Sequence, residues 1–149
     1  MARKIFCSFF HCIAQPWNGT DPAPSLDLFN WDVVIPGYLG TIWEGGAFKG
    51  VLSFSEGYPA EPPTFTFTPA MFHPNVYPNG RVCITTLNAE QGWRSDFSVA
   101  EILVSIQALL NNPNPSSPAQ LEAVILFTED RAEYISRVKA MVAKFPCEN

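Results

Sequence analysis

Residues 97–112 read FSVAEILVSIQALLNN, and the hydrophobic period of the chain changes at this stretch. The apolar residues recur at helical spacing, and Ser98 with Glu101 three positions later forms a capping-box pattern. The predicted helix starts there and ends at Asn112-Pro113. Its apolar face comprises Val99, Ile102, Leu103, Ile106, Leu109 and Leu110.

On the N-terminal side of this helix, hydrophobic residues alternate with their neighbours in short segments separated by Gly and Pro clusters. Alternation over a few residues is typical of strands that bury one face. The pattern predicts a meander of short antiparallel strands. The alternating residues are Trp31, Val33 and Ile35, then Phe48, Leu52 and Phe54, then Phe65 and Phe67.

On the C-terminal side, two more helices are predicted. The second starts at Ser117-Pro118, with Pro at the first helical position and Gln120 as capping-box partner, and runs to about Phe127. The third follows Thr128 and has acidic residues in its first turn. Its apolar stripe comprises Tyr134, Ile135, Val138, Met141, Val142 and Phe145.

Strands followed by helices are the α+β pattern, in which helices cover one face of the sheet. The 149 residues are 47 % hydrophobic and 15 % charged, so we expect one globular domain over 1–149. The net charge of −5, with nine Lys and Arg in all, argues against a nucleic-acid partner. No apolar run approaches the ~18 residues of a membrane span, so no membrane partner is expected.

The N-terminal run 1–13 places apolar residues on one helical face, which predicts a short helix docked on the core. The four cysteines match neither a zinc template nor a disulfide-framed small domain. Reduced thiols, in the cytoplasm or the nucleus, are therefore expected. These cysteines are Cys7, Cys12, Cys83 and Cys147.

Between Phe67 and the helix at Ser98 lie about thirty residues with little periodicity, a length that usually indicates a functional loop. Residues 72–83 of this loop read FHPNVYPNGRVC. Pro and Asn-Gly are sufficient to reverse the chain. The side chains that a turn does not require are those of His73, Asn75, Tyr77 and Cys83.

Cys83 has three interpretations from the residues alone. It is a small buried apolar residue, as free cysteines commonly are. Alternatively it is the nucleophile of a thiol protease, with His73 or His11 as base. In the third interpretation it carries an acyl group as a thioester and passes it to an amine, with Asn75 as oxyanion donor and a dry pocket that lowers the pKa of the incoming lysine.

The stretch FHPNVYPNGRVC resembles the active-site segment of ubiquitin-conjugating enzymes, in which His-Pro-Asn precedes the thioester cysteine. Three further stretches resemble the same family in order. They are NWDVVIPGYLGTIWEGGAFKG at 30–50, YPAEPPTFTF at 58–67 and GWRSDFSVAEILVSIQALLNNPNPSSPAQLEA at 92–123. Together they cover roughly residues 28–145, and several motifs in register are more specific than any one. The resemblance implies a four-stranded antiparallel meander with C-terminal helices packed on it and a shortened N-terminal helix.

Within the family, the sequence is most similar to the SUMO-conjugating branch. Three features carry this likeness: the IPG..GT.WEGG..FK pattern, the ten-residue step from Cys83 to Trp93, and Pro118-Ala119-Gln120 followed by Glu122. The resemblance implies that an activating enzyme delivers SUMO or a related modifier, and that a substrate lysine receives it. SUMO ligases are implied partners, no metal or cofactor is implied, and the implied location is nucleus and cytoplasm.

The resemblance also implies roles for individual residues. Cys83 would accept the thioester, Asn75 would support the tetrahedral oxyanion or its loop, and Tyr77 would line the lysine channel. His73 and Pro74 would hold the active-site loop without proton transfer. Ser117 is the implied catalytic residue beside the incoming lysine, and the implied substrate-binding residues are Asn79, Arg81, Ala119 and Gln120.

Several positions depart from the branch. Ser117 stands where an aspartate is usual, so it acts as a helix cap alone or as cap and gate, and phosphorylation would restore negative charge. Thr64 and Thr66 replace lysines. Arg81 is either the cation that reads a substrate carboxylate or a solvated turn residue. The apolar run 1–13 replaces a longer basic helix, which favours altered or weaker partner binding.

Two alternatives to a SUMO-conjugating enzyme follow. A ubiquitin-conjugating enzyme would use the same mechanism with another modifier. A module that binds a modifier or ligase without turnover would explain the reduced N-terminal helix and the missing aspartate.

Overall fold

The computed structural model describes residues 15–18 and 26–147. The elements of this part follow the order of strands first and helices after, as the α+β prediction requires. They are β1 (Gln15–Asn18), β2 (Leu26–Pro36), β3 (Ala47–Ser53), β4 (Thr64–Phe67), a short 3-10 turn (Thr85–Leu87), α1 (Val99–Asn111), α2 (Leu121–Glu129) and α3 (Arg131–Lys144).

The four described strands form one antiparallel sheet in the order β1-β2-β3-β4. Trp31 of β2 lies opposite Leu52 of β3, and Leu52 lies opposite Phe65 of β4. Neighbours in sequence are therefore neighbours in the sheet. The predicted four-stranded meander is confirmed.

The core lies between one face of the sheet and the helices. Side chains alternate along each strand, so every second residue turns toward the helices. Val33 and Ile35 of β2 and Phe48 and Leu52 of β3 are buried in this way, as is Phe65 of β4. The same cluster includes Ile102, Leu103, Ile106 and Leu110 of α1 and Tyr134 and Val138 of α3.

The start of α1 is the predicted one. The Ser98 hydroxyl accepts from the backbone N–H of Glu101 at 3.1 Å, and the Glu101 carboxylate accepts from the N–H of Ser98 at 2.7 Å. One buried residue of α1 was not predicted: Gln107 donates from Nε2 to the carbonyl of Pro36 at 2.8 Å. This hydrogen bond ties α1 to the end of β2.

The predicted boundaries of the other two helices are wrong. α2 begins at Leu121 after Gln120, and no side chain caps it, so Ser117-Pro118 is not its start. α2 also extends to Glu129, and α3 begins at Arg131 because the Asp130 carboxylate accepts from the N–H of Glu133 at 3.1 Å. Of the two acidic residues after Thr128, Glu129 is therefore the last residue of α2, and Asp130 caps the start of α3.

The predicted helix at 1–13, with Cys7, Cys12 and His11, lies outside the described residues. Cys83 is a free thiol. Cys147 is disulfide-bonded, so the expectation of reduced thiols throughout the chain is wrong at this position. Of the helices that the structure describes, none has the length and apolar character needed to cross a membrane.

Candidate active site

A tight hairpin, residues 76–83, presents the cysteine. The carbonyl of Tyr77 accepts from the N–H of Gly80 at 2.8 Å, and the N–H of Tyr77 donates to Arg81 at 2.9 Å. Gly80 has φ of +91°, a left-handed conformation that favours glycine after a tight turn. The hairpin also pairs with β4, since Phe67 donates to the Gly80 carbonyl at 2.8 Å.

Cys83 lies at the end of this hairpin and is half-buried. Its N–H donates to the carbonyl of Asn75 at 2.8 Å, which joins the His-Pro-Asn segment directly to the cysteine. The 3-10 turn that follows is held to α1, because the Thr86 and Ser105 hydroxyls lie 3.1 Å apart. The backbone before and after Cys83 is therefore held by hydrogen bonds, while its thiol is still accessible to solvent.

Tyr77 lies beside Cys83 and is exposed. The negative charge of the Cys83 thiolate is the largest cause that raises the pKa of the Tyr77 hydroxyl, and a hydrogen bond with the sulfur adds to it. The Arg81 guanidinium lowers the same pKa by a smaller amount. Tyr77, Arg81 and the thiol thus share one rim of the site.

His73 is fully buried, and both of its ring nitrogens have partners. Nε2 lies 2.9 Å from the carbonyl of Leu109 and 3.3 Å from that of Leu110, so it carries the proton, and Nδ1 accepts from the N–H of Asn75 at 3.0 Å. Burial lowers the pKa of His73 to about 4, although the hydrogen bonds to the Leu109 and Leu110 carbonyls raise it. The ring is neutral at pH 7 and anchors the segment to the end of α1.

Asn75 and Pro74 hold a second segment, the 114–120 loop. Asn75 is fully buried, and its Nδ2 donates to the carbonyls of Asn114 and Ser117, each at 2.8 Å. Its Oδ1 accepts from the N–H of Asn114 at 2.7 Å. The carbonyl of Pro74 accepts from Ala119 at 2.8 Å. Asn75 therefore bridges the cysteine strand and the 114–120 loop.

The remaining predicted site residues fall into two groups. Asn79 and Arg81 belong to the hairpin, where Asn79 Oδ1 accepts from the Arg81 N–H at 3.0 Å. Ser117 and Gln120 belong to the 114–120 loop. Ser117 is half-buried, and the amide of Gln120 donates to Met71 at 3.3 Å rather than pointing into solvent.

Asn114 is a site residue that the sequence reasoning missed. Its backbone is held by Asn75, and its Oδ1 accepts from the N–H of Ser116 at 3.0 Å, which shapes the turn that ends at Ser117. A local signal existed, because an Asn between two prolines is typical of an Asx turn.

The arrangement suits acyl transfer better than proteolysis. A protease thiol needs an adjacent base, and His73, the histidine that the structure describes, has both nitrogens bound to backbone groups and a pKa near 4, while His11 lies outside the described residues. An acyl-carrying thiol needs only access and a held loop, and Cys83 has both. No group of three or more metal-ligating side chains occurs among residues 15–18 and 26–147.

Comparison with known proteins bears on this site. A sequence model of the family described as ubiquitin-conjugating enzyme matches residues 11–142. The chain is 46 % identical over 134 residues to SUMO-conjugating enzyme SCE1 of Arabidopsis thaliana, a match that covers 90 % of this chain and 82 % of that protein.

Two further relatives match over a similar length. SUMO-conjugating enzyme UBC9 of Caenorhabditis elegans is 43 % identical over 139 residues, which cover 93 % of this chain and 82 % of that protein. Sumo-conjugating enzyme ubc9 of Dictyostelium discoideum is 44 % identical over 133 residues, which cover 89 % and 82 %. The match with the family model includes the whole of the site described above.

Proposed function

Because the chain belongs to the ubiquitin-conjugating enzyme family, we propose that it is a SUMO-conjugating transferase that works through a thioester on Cys83. The observation that carries the proposal is a free, solvent-accessible thiol fixed to a His-Pro-Asn segment, in a chain 43 % to 46 % identical to proteins named SUMO-conjugating enzymes. Its partners are SUMO, the SUMO activating enzyme, SUMO ligases and substrates with an exposed lysine. It acts in the nucleus and cytoplasm.

Two transfers make up the reaction. The Cys83 thiolate attacks the C-terminal carbonyl that the activating enzyme presents as a thioester, a new C–S bond forms, and the activating enzyme's thiolate leaves. A substrate lysine amine then attacks the same carbonyl carbon. The C–S bond to Cys83 breaks, an isopeptide bond forms, and the nitrogen releases a proton.

Asn75 acts in this reaction chiefly through the loop. Both hydrogens of its Nδ2 donate to carbonyls at 2.8 Å, so no donor remains for an oxyanion while the 114–120 loop keeps this position. His73 takes no proton, because it is neutral and both nitrogens are occupied. Tyr77 flanks the amine's path beside the sulfur.

Ser117 stands at the edge of the same loop. A hydroxyl carries no charge, so it cannot attract an ammonium group as a carboxylate would. Its carbonyl holds Asn75, and its hydroxyl lies 3.5 Å from the Asn114 amide. We assign Ser117 to the border of the lysine path, with Asn79, Arg81, Ala119 and Gln120 as the surrounding substrate contacts.

A charging assay tests the proposal. The protein is incubated with ATP, the SUMO activating enzyme and SUMO, in parallel with ubiquitin and its activating enzyme, and resolved on a non-reducing gel. A thiol-sensitive adduct with SUMO that is absent in Cys83→Ala is the expected result. An adduct with ubiquitin alone would make it a ubiquitin-conjugating enzyme. Binding to SUMO without any adduct would make it a binding module.

A further inference from the structure

The guanidinium of Arg137 on α3 contacts two segments that lead into the active site. Its Cζ lies 4.8 Å from the centroid of the Phe72 ring, a cation–π arrangement. Its Nη2 lies 3.1 Å from Oε1 of Glu122 in the first turn of α2. One side chain therefore joins α2 to the segment that carries His-Pro-Asn.

Phe72 immediately precedes the His-Pro-Asn segment. It precedes His73 in the chain, and its ring also packs against Tyr134, one turn before Arg137 on α3, with centroids 5.8 Å apart. Tyr134 and Arg137 thus hold the same ring from α3. A shift of Phe72 would be passed to the backbone of His73, whose ring is anchored at the end of α1.

Glu122 lies in the chain just after the 114–120 loop. It lies two residues after Gln120, and the N–H groups of Ala119 and Gln120 donate to the carbonyl of Pro74 at 2.8 and 3.3 Å. The contacts therefore close a ring, which runs from Phe72 to Pro74, across to Ala119, along the chain to Glu122, and through Arg137 back to Phe72.

The Arg137–Glu122 ion pair contributes only a modest free energy, but it lies where it can hold the active-site loop. The Arg137 and Glu122 side chains are 41 % and 63 % exposed, so solvent and salt screen the pair. The ring nevertheless fixes the start of α2, and with it the 114–120 loop, against the segment that bonds to Cys83. A displacement of about 1 Å at a reacting centre is sufficient to slow a reaction without unfolding the protein.

We propose that Arg137 is a positioning residue for transfer to lysine, acting by holding the 114–120 loop against the His-Pro-Asn segment. The proposal rests on the thioester function proposed above. It concerns the second transfer, because the 114–120 loop borders the path of the amine, whereas charging depends on access to Cys83 and on the hairpin that holds it.

The kinetic test separates the two transfers. Enzyme preloaded with the modifier that charges it is chased with a lysine substrate, and the discharge rate is measured over substrate concentration. Arg137→Ala should slow discharge at saturating lysine by about fivefold and leave the charging rate within about twofold. Arg137→Lys keeps the charge and should recover part of the rate. Equal losses in charging and discharge would overturn the proposal.

Arg131 provides a matched control on the same helix. Its Cζ lies 3.7 Å from the Phe127 ring centroid, and its Nε donates to the Phe127 carbonyl at 2.8 Å, with no contact to the 114–120 loop among the described residues. Arg131→Ala should therefore lower the melting temperature without a selective loss of discharge. A double-mutant cycle of Glu122→Gln and Arg137→Gln should be non-additive in discharge rate.

A second measurement does not depend on activity. Amide hydrogen exchange of the unmodified protein reports the Ala119 N–H, which donates to Pro74. Arg137→Ala should lower its protection, and Arg131→Ala should not. Unchanged protection in both variants would overturn the proposal. If protection falls but the wild type accepts no modifier, the loop-holding role stands and the proposed function fails.

Discussion

Arg81 is an exposed cation two residues before Cys83 in the same hairpin. Its guanidinium affects the pKa of Tyr77, which lies beside Cys83, and neither ion pair of the described residues involves it. A substrate carboxylate near the target lysine would find this guanidinium open to a bidentate pair. A contact between Arg81 and a substrate carboxylate therefore stays a prediction, with a solvated turn residue as its alternative.

The Arg81 prediction concerns two peptides that differ only in an acidic residue two positions after the lysine. Arg81→Ala should slow modification of the acidic peptide by about fivefold and leave the neutral peptide nearly unchanged, because an exposed ion pair contributes about 1 kcal/mol. Arg94→Ala is the control, since Arg94 is already paired with Asp96 at 2.7 Å. Equal losses on both peptides would make Arg81 a turn residue only.

The residues whose chemistry marks the site were predictable, but their partners were not. His73, Asn75, Tyr77 and Cys83 stood out because a turn requires none of them. Asn75, however, bonds to backbone groups of Asn114 and Ser117, about forty residues away in sequence. Backbone partners leave no pattern of residue types, so only the fold reveals that Asn75 is fully occupied.

At the scale of elements, the helix starts show when local rules succeed. Ser98 and Glu101 satisfy each other within four residues, and α1 begins where the pattern predicts. Ser117-Pro118 fits a helix start equally well in sequence. There, the Ser117 carbonyl accepts from the Asn75 side chain, and the N–H groups of Ala119 and Gln120 donate to the Pro74 carbonyl. These long-range hydrogen bonds keep 117–120 out of the helix, so α2 begins at Leu121.

The turn of the Cys83 hairpin depends on a glycine. A Cβ on Gly80 would lie 2.2 Å from the carbonyl oxygen of Phe67 in β4, and the positive φ would strain any other residue. Gly80→Ala should therefore lower the free energy of unfolding by about 3 kcal/mol and slow charging of Cys83. Chemical denaturation measures the first effect and the charging assay the second.

Gly40 is the matched control for this prediction. Its φ of +79° is similar, but nothing lies within 4 Å of a Cβ built on it. Gly40→Ala should cost only the backbone strain, about 1 kcal/mol, and leave charging unchanged. Equal losses of stability in the two variants would show that the hairpin does not need close approach to β4.

At the scale of the whole molecule, the sheet was predictable because its alternation is local and its strands pair in chain order. The site was less predictable, because it is assembled from three segments that are separated in sequence: the His-Pro-Asn hairpin, the end of α1 and the 114–120 loop. His73 is the point where the first two meet. Its ring bonds to Leu109 and Leu110 and lies 5.9 Å from the Trp43 ring in the core.

Burial of this neutral histidine links global stability to pH. The pKa of His73 is about 4 in the folded chain and near 6.5 in the unfolded chain. Between these values the unfolded state binds the proton and the folded state does not, so stability is complete above about pH 6.5 and declines as the pH falls toward 4. At pH 4.5 the loss from this group is about 2.5 kcal/mol.

His73→Gln tests the link, because an amide can donate and accept hydrogen bonds but does not titrate. The variant should be less stable than the wild type at pH 7, and its free energy of unfolding should fall by about 2.5 kcal/mol less between pH 7 and 4.5. The Asp96 and Glu101 carboxylates, whose pKa values are lowered by hydrogen bonds from Arg94 and Ser98, contribute equally to both proteins and cancel in the difference. Parallel pH curves from urea denaturation would mean that His73 is protonated in the folded protein, and a charged ring could not then anchor the segment with Nδ1 as an acceptor.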